Sequence, residues 1–128
     1  FLWGWDKFSG MKTLLLATLF MALTSFGADT ARVIQMETKK IDGAVHWFPE
    51  KVEVKPGEKV KFVVQHNLDG GFDFHGFFIP ELKITKQVDR KKVTEVETTV
   101  PKDMKEGEYK IGCHFHPAHV AATLVVKK

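Results

Sequence analysis

Short stretches of alternating apolar and polar residues, many of them β-branched, follow one another along the chain from residue 31 onward. Such alternation is typical of β-strands with one buried face, and no segment sustains the 3.6-residue period of an amphipathic helix. Turn-forming residues separate the stretches, most clearly at Lys55-Pro56-Gly57-Glu58. The predicted strands lie at residues 33–37, 51–54, 59–65, 72–79, 84–88, 93–100, 108–113 and 122–126. Seven or eight strands without helical crossovers predict an all-β fold, an antiparallel Greek-key β-sandwich.

The length and composition fit one folded domain. The chain has 128 residues, of which 44% are hydrophobic, and this is enough for one sizeable core. Eleven Phe and three Trp exclude a solvated, disordered chain. One Cys stands beside six His, so an intrachain disulfide and zinc fingers that use two or four cysteines are excluded.

The N-terminal segment has the pattern of an export signal. Met11-Lys12 is followed by an apolar stretch at 13–23 and small residues near 24–28, which predicts a secretory signal peptide at residues 11–27. The apolar stretch is shorter than the roughly 20 residues that span a bilayer. We interpret residues 1–10 as an upstream or non-native extension, and we expect cleavage near Gly27 or Ala28. Residues 28–128 then form a single periplasmic or otherwise exported domain with no membrane span.

Charged residues of both signs are interleaved along the chain. Nineteen Lys and Arg stand against sixteen Asp and Glu, a formal net charge of +3, and this mixture is typical of a solvated surface. A weakly basic face that steers an acidic partner is the alternative interpretation. The sequence carries no nucleic-acid-binding motif, so no nucleic-acid partner is expected.

The densest group of reactive side chains lies at residues 112–119, Gly-Cys-His-Phe-His-Pro-Ala-His. Cys113 ends a predicted strand, and His116 and His119 follow it at intervals of three residues, in a short loop that Pro117 restricts. A thiolate and imidazoles form a donor set suited to copper or zinc. A lone Cys is often a small buried hydrophobe, but the two nearby His and the predicted export favour a metal site, with zinc left open.

The same segment resembles the ligand loop of the cupredoxins, the small blue-copper proteins. Short-loop members such as amicyanin carry Cys-x-x-His-Pro-x-Met, whereas this chain has Cys113-x-x-His116-Pro117-x-His119, with His at the position of the axial Met. Nitrosocyanin, a red copper member, also has a Cys-x-x-His-Pro loop with a further His. The resemblance extends over roughly residues 44–126.

A second motif supplies the distant His that cupredoxins use. Residues 74–82, Phe-His-Gly-Phe-Phe-Ile-Pro-Glu-Leu, resemble a run in the copper domain of oxidase subunit II, which implies His75 as a ligand. The binuclear site of that domain needs a second Cys, which this sequence lacks, so the implied site holds one copper ion. Its implied ligands are His75, Cys113, His116 and an axial His119.

The resemblance implies a one-electron carrier rather than an enzyme. We expect a redox partner such as a c-type cytochrome, which docks on apolar residues at Phe115, Pro117 and Ala118. Because an imidazole is a stronger donor than a thioether, an axial His119 predicts a lower reduction potential and a green, yellow or red colour. The alternatives are a copper-dependent enzyme or a nitric oxide-type small-molecule site, both of which need an open coordination position, a copper-delivery protein, or a structural zinc site.

The remaining histidines and nearby phenylalanines receive lesser roles. We expect His114 to point away from the metal and His46 to lie at the surface or at a strand edge. His66 is weighed as a residue that approaches the metal, and Asn67 as a polar residue that ties the ligand loops together. The core is the default position of four phenylalanines, some of which are expected to form an apolar collar around the metal: Phe72, Phe74, Phe77 and Phe78.

Overall fold

The computed structural model describes residues 30–128, so the predicted signal peptide at 11–27 and the extension at 1–10 lie outside the described residues. Between residues 30 and 128 the chain forms β-strands and one short 3-10 turn, Pro80–Leu82, and no helix there is long and apolar enough to cross a membrane. The strands are β1 (Arg32–Ile41), β2 (Ala44–Phe48), β3 (Lys51–Val54), β4 (Lys59–Gln65), β5 (Phe74–Ile79), β6 (Ile84–Asp89), β7 (Val93–Thr99), β8 (Gly107–Ile111) and β9 (Ala122–Val126).

The strands pack as a β-sandwich. One layer is the four-stranded sheet β2-β1-β4-β7. The other contains the sheet β3-β9-β8 and the pair β5-β6. Two backbone hydrogen bonds of 2.9 and 3.0 Å between Phe78 and Gly112 join β5 to the chain just beyond β8. The all-β sandwich that the alternation predicts is confirmed.

Two details of the sheets differ from the sequence prediction. Most strand pairs are antiparallel, but β1 with β4 and β3 with β9 are parallel, because alternation reports which face is buried and carries no information on strand direction. The strand β2 is additional. It returns antiparallel to β1 through Asp42 and Gly43, whose φ angles of 51° and 83° suit a two-residue hairpin turn. Its residues, Ala-Val-His-Trp-Phe, lack the alternation that marked the other strands.

Inward-facing residues of β4 and of the opposite layer build the core. Phe62 and Val64 are fully buried, as are Phe77 of β5 and Leu124 of β9. The rings of Phe62 and Phe77 lie 5.3 Å apart between centroids. Burial of each such side chain contributes about 1.5–3 kcal/mol to stability. Packing of Phe77 in the core therefore fixes the position of β5, the strand that carries His75.

Backbone hydrogen bonds hold both ends of the loop at residues 112–120. At its start, Gly112 exchanges the two bonds with Phe78. At its end, the N–H of Val120 donates to the carbonyl of Val45 at 2.8 Å, and the N–H of Trp47 donates to the carbonyl of Val120 at 3.4 Å. The loop is thus anchored to β5 at one end and to β2 at the other.

Candidate metal centre

The four side chains that the sequence singles out converge on one place. His75, Cys113, His116 and His119 each offer one ligand atom, and these atoms all lie within 4.8 Å of one another. His75 is buried and the other three residues are half-buried. The cluster joins segments that are far apart in sequence, since His75 and His119 are 44 positions apart. That these residues bind a metal stays a prediction.

His75 and His119 face each other through ring nitrogens. His75 is the second residue of β5, and only 2% of its surface is exposed. Its Nδ1 atom lies 2.9 Å from Nδ1 of His119, so one ring donates a hydrogen bond and the other accepts it. A cation in place of that hydrogen would meet two nitrogen lone pairs. The arrangement is that of two donors directed at a common point.

Cys113 lies beside His116 and beneath the peptide of Gly76. It follows the end of β8 by two residues, whereas the sequence prediction had it close the strand. Its Sγ accepts a hydrogen bond from the N–H of Gly76 at 3.1 Å and lies 3.6 Å from Nδ1 of His116. A backbone donor directed at sulfur stabilises negative charge there and tunes a thiolate that binds metal.

The absence of a side chain at Gly76 allows this close approach. A Cβ atom added there would overlap the imidazole of His114 and lie 3.0 Å from the backbone nitrogen of His114. On the core side, the indole N–H of Trp47 donates to the carbonyl of Gly76 at 3.3 Å. Gly76 is therefore held to the core through its carbonyl while its N–H donates to Cys113.

A tight turn brings His116 and His119 together. The N–H of His119 donates to the carbonyl of His116 at 3.1 Å, which is the hydrogen bond of a β-turn. Pro117 occupies the second position of this turn, where its fixed φ is favourable. The two imidazole rings end 4.7 Å apart between centroids. The spacing of the loop thus brings three donors into a small volume.

Burial favours the neutral form of the clustered imidazoles. It lowers the pKa of His75 from 6.5 to about 3, and repulsion from the neighbouring imidazoles, His66 foremost, acts in the same direction. Burial also lowers the pKa of His116 and of His119, again with repulsion between imidazoles. A neutral imidazole has the free lone pair that a metal requires. Near neutral pH the cluster therefore offers its nitrogens without competition from protons.

The other polar candidates lie outside the cluster. His114 is exposed, and His46 is half-buried on the edge strand β2 with its Nδ1 3.6 Å from a carboxylate oxygen of Glu50. Asn67 is exposed and donates to the side chain of Gln65 at 3.0 Å. The expected tie between the ligand loops is therefore not made by Asn67, because its amide is engaged with its own strand end.

Two phenylalanines border the cluster, and a third lies behind it. Phe77 is fully buried in the core, as expected. Phe72 is 56% exposed, and its ring stacks on His116 with a centroid distance of 3.8 Å and an interplanar angle of 24°. The half-buried Phe74 lies 5.8 Å from the same imidazole. Apolarity alone did not distinguish these positions in the sequence, since all three residues are phenylalanine.

His66, which was weighed as a residue that approaches the metal, lies beside the cluster, with its ring centroid 4.1 Å from that of His75, but it is not among the four residues whose ligand atoms converge. It is buried, with 1% of its surface exposed. Both of its ring nitrogens are engaged in hydrogen bonds, with Thr38 and with the carbonyl of Phe72. No sequence signal marked Thr38, because it lies 28 positions from His66.

Two cavities flank the cluster, and His119 lies in the wall of both. One, of about 270 Å³, is lined in part by Cys113, His114 and His119. The other, of about 190 Å³, is lined in part by Phe72, His75 and His119. Each cavity therefore borders the cluster directly, one at Cys113 and the other at His75, and His119 borders both.

Comparison with known proteins establishes the family. The cupredoxin-like domain family matches residues 12–126. This is most of the chain, and the chain belongs to that family. The resemblance drawn from the ligand loop is confirmed at the level of the family. No curated protein sequence matches the chain significantly.

Solved structures of copper and oxidase proteins share this fold. A heme-copper terminal oxidase is similar with a TM-score of 0.55 and 12% identity over 75% of this chain and 65% of that one, so this chain spans slightly under two thirds of it. Copper nitrite reductase from Nitrosomonas europaea gives a TM-score of 0.60 and 10% identity, over 77% of this chain and 42% of that one. The periplasmic domain of subunit II of cytochrome oxidase from Bradyrhizobium japonicum gives a TM-score of 0.52 and 10% identity, over 74% and 84%. At such identities the similarity shows the fold.

Proposed function

We propose that this chain is an exported copper protein that binds one copper ion and acts as a one-electron carrier. The observation that carries the proposal is the convergence of one sulfur and three imidazoles, with ligand atoms within 4.8 Å of one another, in a cupredoxin-like domain. Sulfur and imidazole nitrogen are the donors that copper prefers in this family of sites. His75, Cys113, His116 and His119 are the proposed ligands.

The groups around the four ligand atoms also suit copper, in addition to the ligand types themselves. The N–H of Gly76 directs a hydrogen bond at Sγ of Cys113, and the lowered pKa of His75 leaves its ring neutral. Copper, when bound, supplies a one-electron couple. The chain supplies rigid ligands, since β5 is packed in the core and the loop at 112–120 is anchored by backbone hydrogen bonds at both ends. Rigid ligands favour electron transfer because little has to move between oxidation states.

The proposed partner is a redox protein such as a c-type cytochrome. His116 is half-buried, so its ring edge approaches the surface, and Phe115, Pro117 and Ala118 beside it are exposed. These three residues form an exposed apolar patch next to His116. Docking there places the partner close to a ligand of the metal.

His119 is the proposed axial ligand and sets the character of the site. An imidazole donates more strongly than the thioether of Met, so it favours the oxidised ion. We expect a reduction potential below that of Met-ligated cupredoxins and a green, yellow or red colour. The visible and electron paramagnetic resonance spectra of the copper-loaded protein, compared with those of His119→Ala, test this role. An intense blue band with a small hyperfine splitting that is unchanged in His119→Ala contradicts it.

The carrier function has its own test. A reversible one-electron titration and fast electron exchange with a c-type cytochrome are the expected results. Substitution of Phe115 by Ser should slow the exchange and leave the reduction potential unchanged, because Phe115 is exposed and lies outside the cluster. Exchange that is equally fast in Phe115→Ser contradicts the proposed docking patch.

The two cavities support a second candidate, a copper site that binds a small molecule. Since His119 lies in the wall of both cavities, its displacement would open a coordination position to a ligand of nitric oxide size. A spectral change on addition of azide or nitric oxide to the copper-loaded protein favours this function. A spectrum that neither azide nor nitric oxide changes contradicts this second candidate and favours the one-electron carrier.

Export is proposed from the signal-like segment at residues 11–27. The mature domain then comprises residues 28–128 and works in the periplasm or an equivalent exported compartment. Purification from that compartment followed by mass measurement tests the proposal. A first residue of Ala28 or Asp29 is expected, and a protein that retains residues 11–27 in the cytoplasm contradicts it.

A further inference from the structure

His66 is a buried imidazole with a defined pair of hydrogen-bond partners. Its Nε2 lies 2.9 Å from the carbonyl oxygen of Phe72, and its Nδ1 lies 2.9 Å from the hydroxyl of Thr38. A carbonyl only accepts, so Nε2 carries the hydrogen and donates it. In the neutral ring Nδ1 is then the acceptor, and the hydroxyl of Thr38 donates to it. The carbonyl of Phe72 thus fixes the tautomer of His66, and the hydroxyl of the buried Thr38 satisfies the acceptor nitrogen of that tautomer.

Phe72, whose carbonyl accepts the hydrogen bond from Nε2, is an exposed residue next to the cluster. More than half of its surface is exposed, yet its ring stacks on His116 at 3.8 Å. An exposed ring gains little from burial, so its position needs another restraint. The bond from His66 supplies one at the backbone of the same residue.

Further backbone bonds pin the segment at both ends. The N–H of Lys91 donates to the carbonyl of His66 at 3.0 Å, and the N–H of Arg90 donates to the carbonyl of Asp73 at 2.8 Å. Between these anchors the chain includes Gly70, with a φ of 75°. The ends of this loop are already fixed by the backbone. The hydrogen bond from the His66 side chain then sets the position of Phe72 within the loop.

His66 also contacts a second member of the cluster directly. Its ring meets that of His75 edge-to-face, with centroids 4.1 Å apart and an interplanar angle of 80°. The side chain of His66 thus contacts the imidazole of His75 directly. It also holds the backbone of Phe72, whose ring stacks on the imidazole of His116. The two imidazoles lie in different segments of the chain, and His66 is bonded to neither.

We infer that His66 is a positioning residue, which orients the rings of His75 and His116 through its packing on one and its hydrogen bond to Phe72 on the other. It takes the role for which Asn67 was considered. The inference rests on the proposed metal site for its consequence, since the ring positions matter once an ion is bound. Residues of this kind, which orient ligands without binding the metal, typically contribute 10–100-fold to metal affinity.

The first test uses the metal-free protein, so it does not depend on the proposed function. Long-range ¹H–¹⁵N spectra should show His66 as the Nε2–H tautomer, and nuclear Overhauser effects should connect the rings of Phe72 and His116. His66→Leu removes the donor and should abolish these ring contacts. His66→Gln retains an N–H donor and should preserve them. Ring contacts that persist unchanged in a folded His66→Leu variant overturn the inference.

The second test measures copper affinity in the same variants. We expect His66→Leu and Thr38→Val to weaken binding by about tenfold, with recovery in His66→Gln. Thr98→Val is the matched control, because Thr98 pairs with Val60 at the end of β4 remote from His66; its affinity should not change. Equal affinity in the wild type, His66→Leu and Thr38→Val overturns the inference.

A substitution of the exposed Phe72 tests the same contact without the risk that a substitution of the buried His66 prevents folding. Phe72→Ala changes an exposed side chain, so the fold should persist, and the same roughly tenfold loss of affinity is expected. Unchanged copper affinity in Phe72→Ala overturns the part of the inference that runs through Phe72. Failure of the wild-type protein to bind copper contradicts the proposed function, while the ring contacts in the metal-free protein still decide the role of His66.

Discussion

His75 and the loop that carries Cys113, His116 and His119 reach the same point from very different surroundings. His75 lies on a strand packed against the core and is almost fully buried. Cys113, His116 and His119 are half-buried, and their loop is fixed by backbone hydrogen bonds at its ends and by the turn within it. The strand thus supplies one donor that is buried beside the core, while the loop supplies three donors that lie outside the core.

Because of this contrast, we expect substitutions in the core and substitutions in the loop to affect different properties. The core determines whether the sandwich folds, and the loop determines what the cluster binds. A change confined to the loop should alter spectra and leave stability almost unchanged. A change in the core should do the reverse. The following substitutions test this separation.

The largest effect is expected from Cys113→Ser. Cys113 is the only thiol in the chain, so its removal eliminates any sulfur-to-copper charge-transfer band. Visible spectroscopy of the copper-loaded variant should show that band to be absent. The free energy of unfolding of the metal-free variant should be nearly unchanged, because Cys113 lies outside the core. His114→Gln, an exposed neighbour, is the control and should retain the band. A band of equal intensity in Cys113→Ser contradicts the proposed site.

Phe62→Ala tests the opposite side of the comparison. Phe62 is fully buried, and truncation of a buried Phe typically costs about 3–5 kcal/mol through lost burial and the cavity that remains. Urea unfolding should show this loss, while the spectrum of the folded, copper-loaded fraction stays like that of the wild type. A spectral change as large as the one in His119→Ala would contradict the separation of core and loop.

Gly76→Ala acts where the two regions meet. The added methyl group collides with His114 and approaches its backbone nitrogen, and overpacking of this kind costs about 1–3 kcal/mol. The shifted peptide should also weaken the bond to Cys113 and move the charge-transfer band. Gly71→Ala is the matched control, because a Cβ there meets nothing within 4 Å. Equal stability and equal spectra in the two variants would contradict the proposed close contact.

Acid should destabilise the metal-free protein over a defined range. The folded state holds the pKa of His75 near 3, below its ordinary value of 6.5. Between these values the unfolded chain binds a proton that the folded chain does not, so the free energy of unfolding falls as the pH falls from about 6.5 towards 3. Denaturant midpoints at several pH values measure this slope, which should be smaller in His75→Asn. An identical slope in the two proteins contradicts the assignment to His75.

The alternation of apolar and polar residues was sufficient to predict most of the strands. Alternation in β4 and β7 identifies strands whose inward residues, such as Phe62 and Val96, are indeed buried. The strand β2 escaped detection because Trp47 and its neighbours do not alternate, although Asp42-Gly43 is a hairpin signal. The parallel pairing of β1 with β4 is invisible to alternation, since direction is set by how the chain crosses between layers.

The candidate site divides in the same way. The spacing of Cys113, His116 and His119 is a local signal, and the structure brings all three together with His75, which only a family resemblance had indicated. The roles of His66 and Phe72 depend on contacts with Thr38 and His116, which are distant in sequence. Such contacts arise from the packing of the layers and leave no trace in local pattern.

The central claim is that this cluster holds a single copper ion, and metal analysis of the protein purified from its native compartment tests it most directly. The account predicts one copper per chain, accompanied by a charge-transfer band that requires Cys113. One zinc per chain, or copper bound without that band, would contradict it.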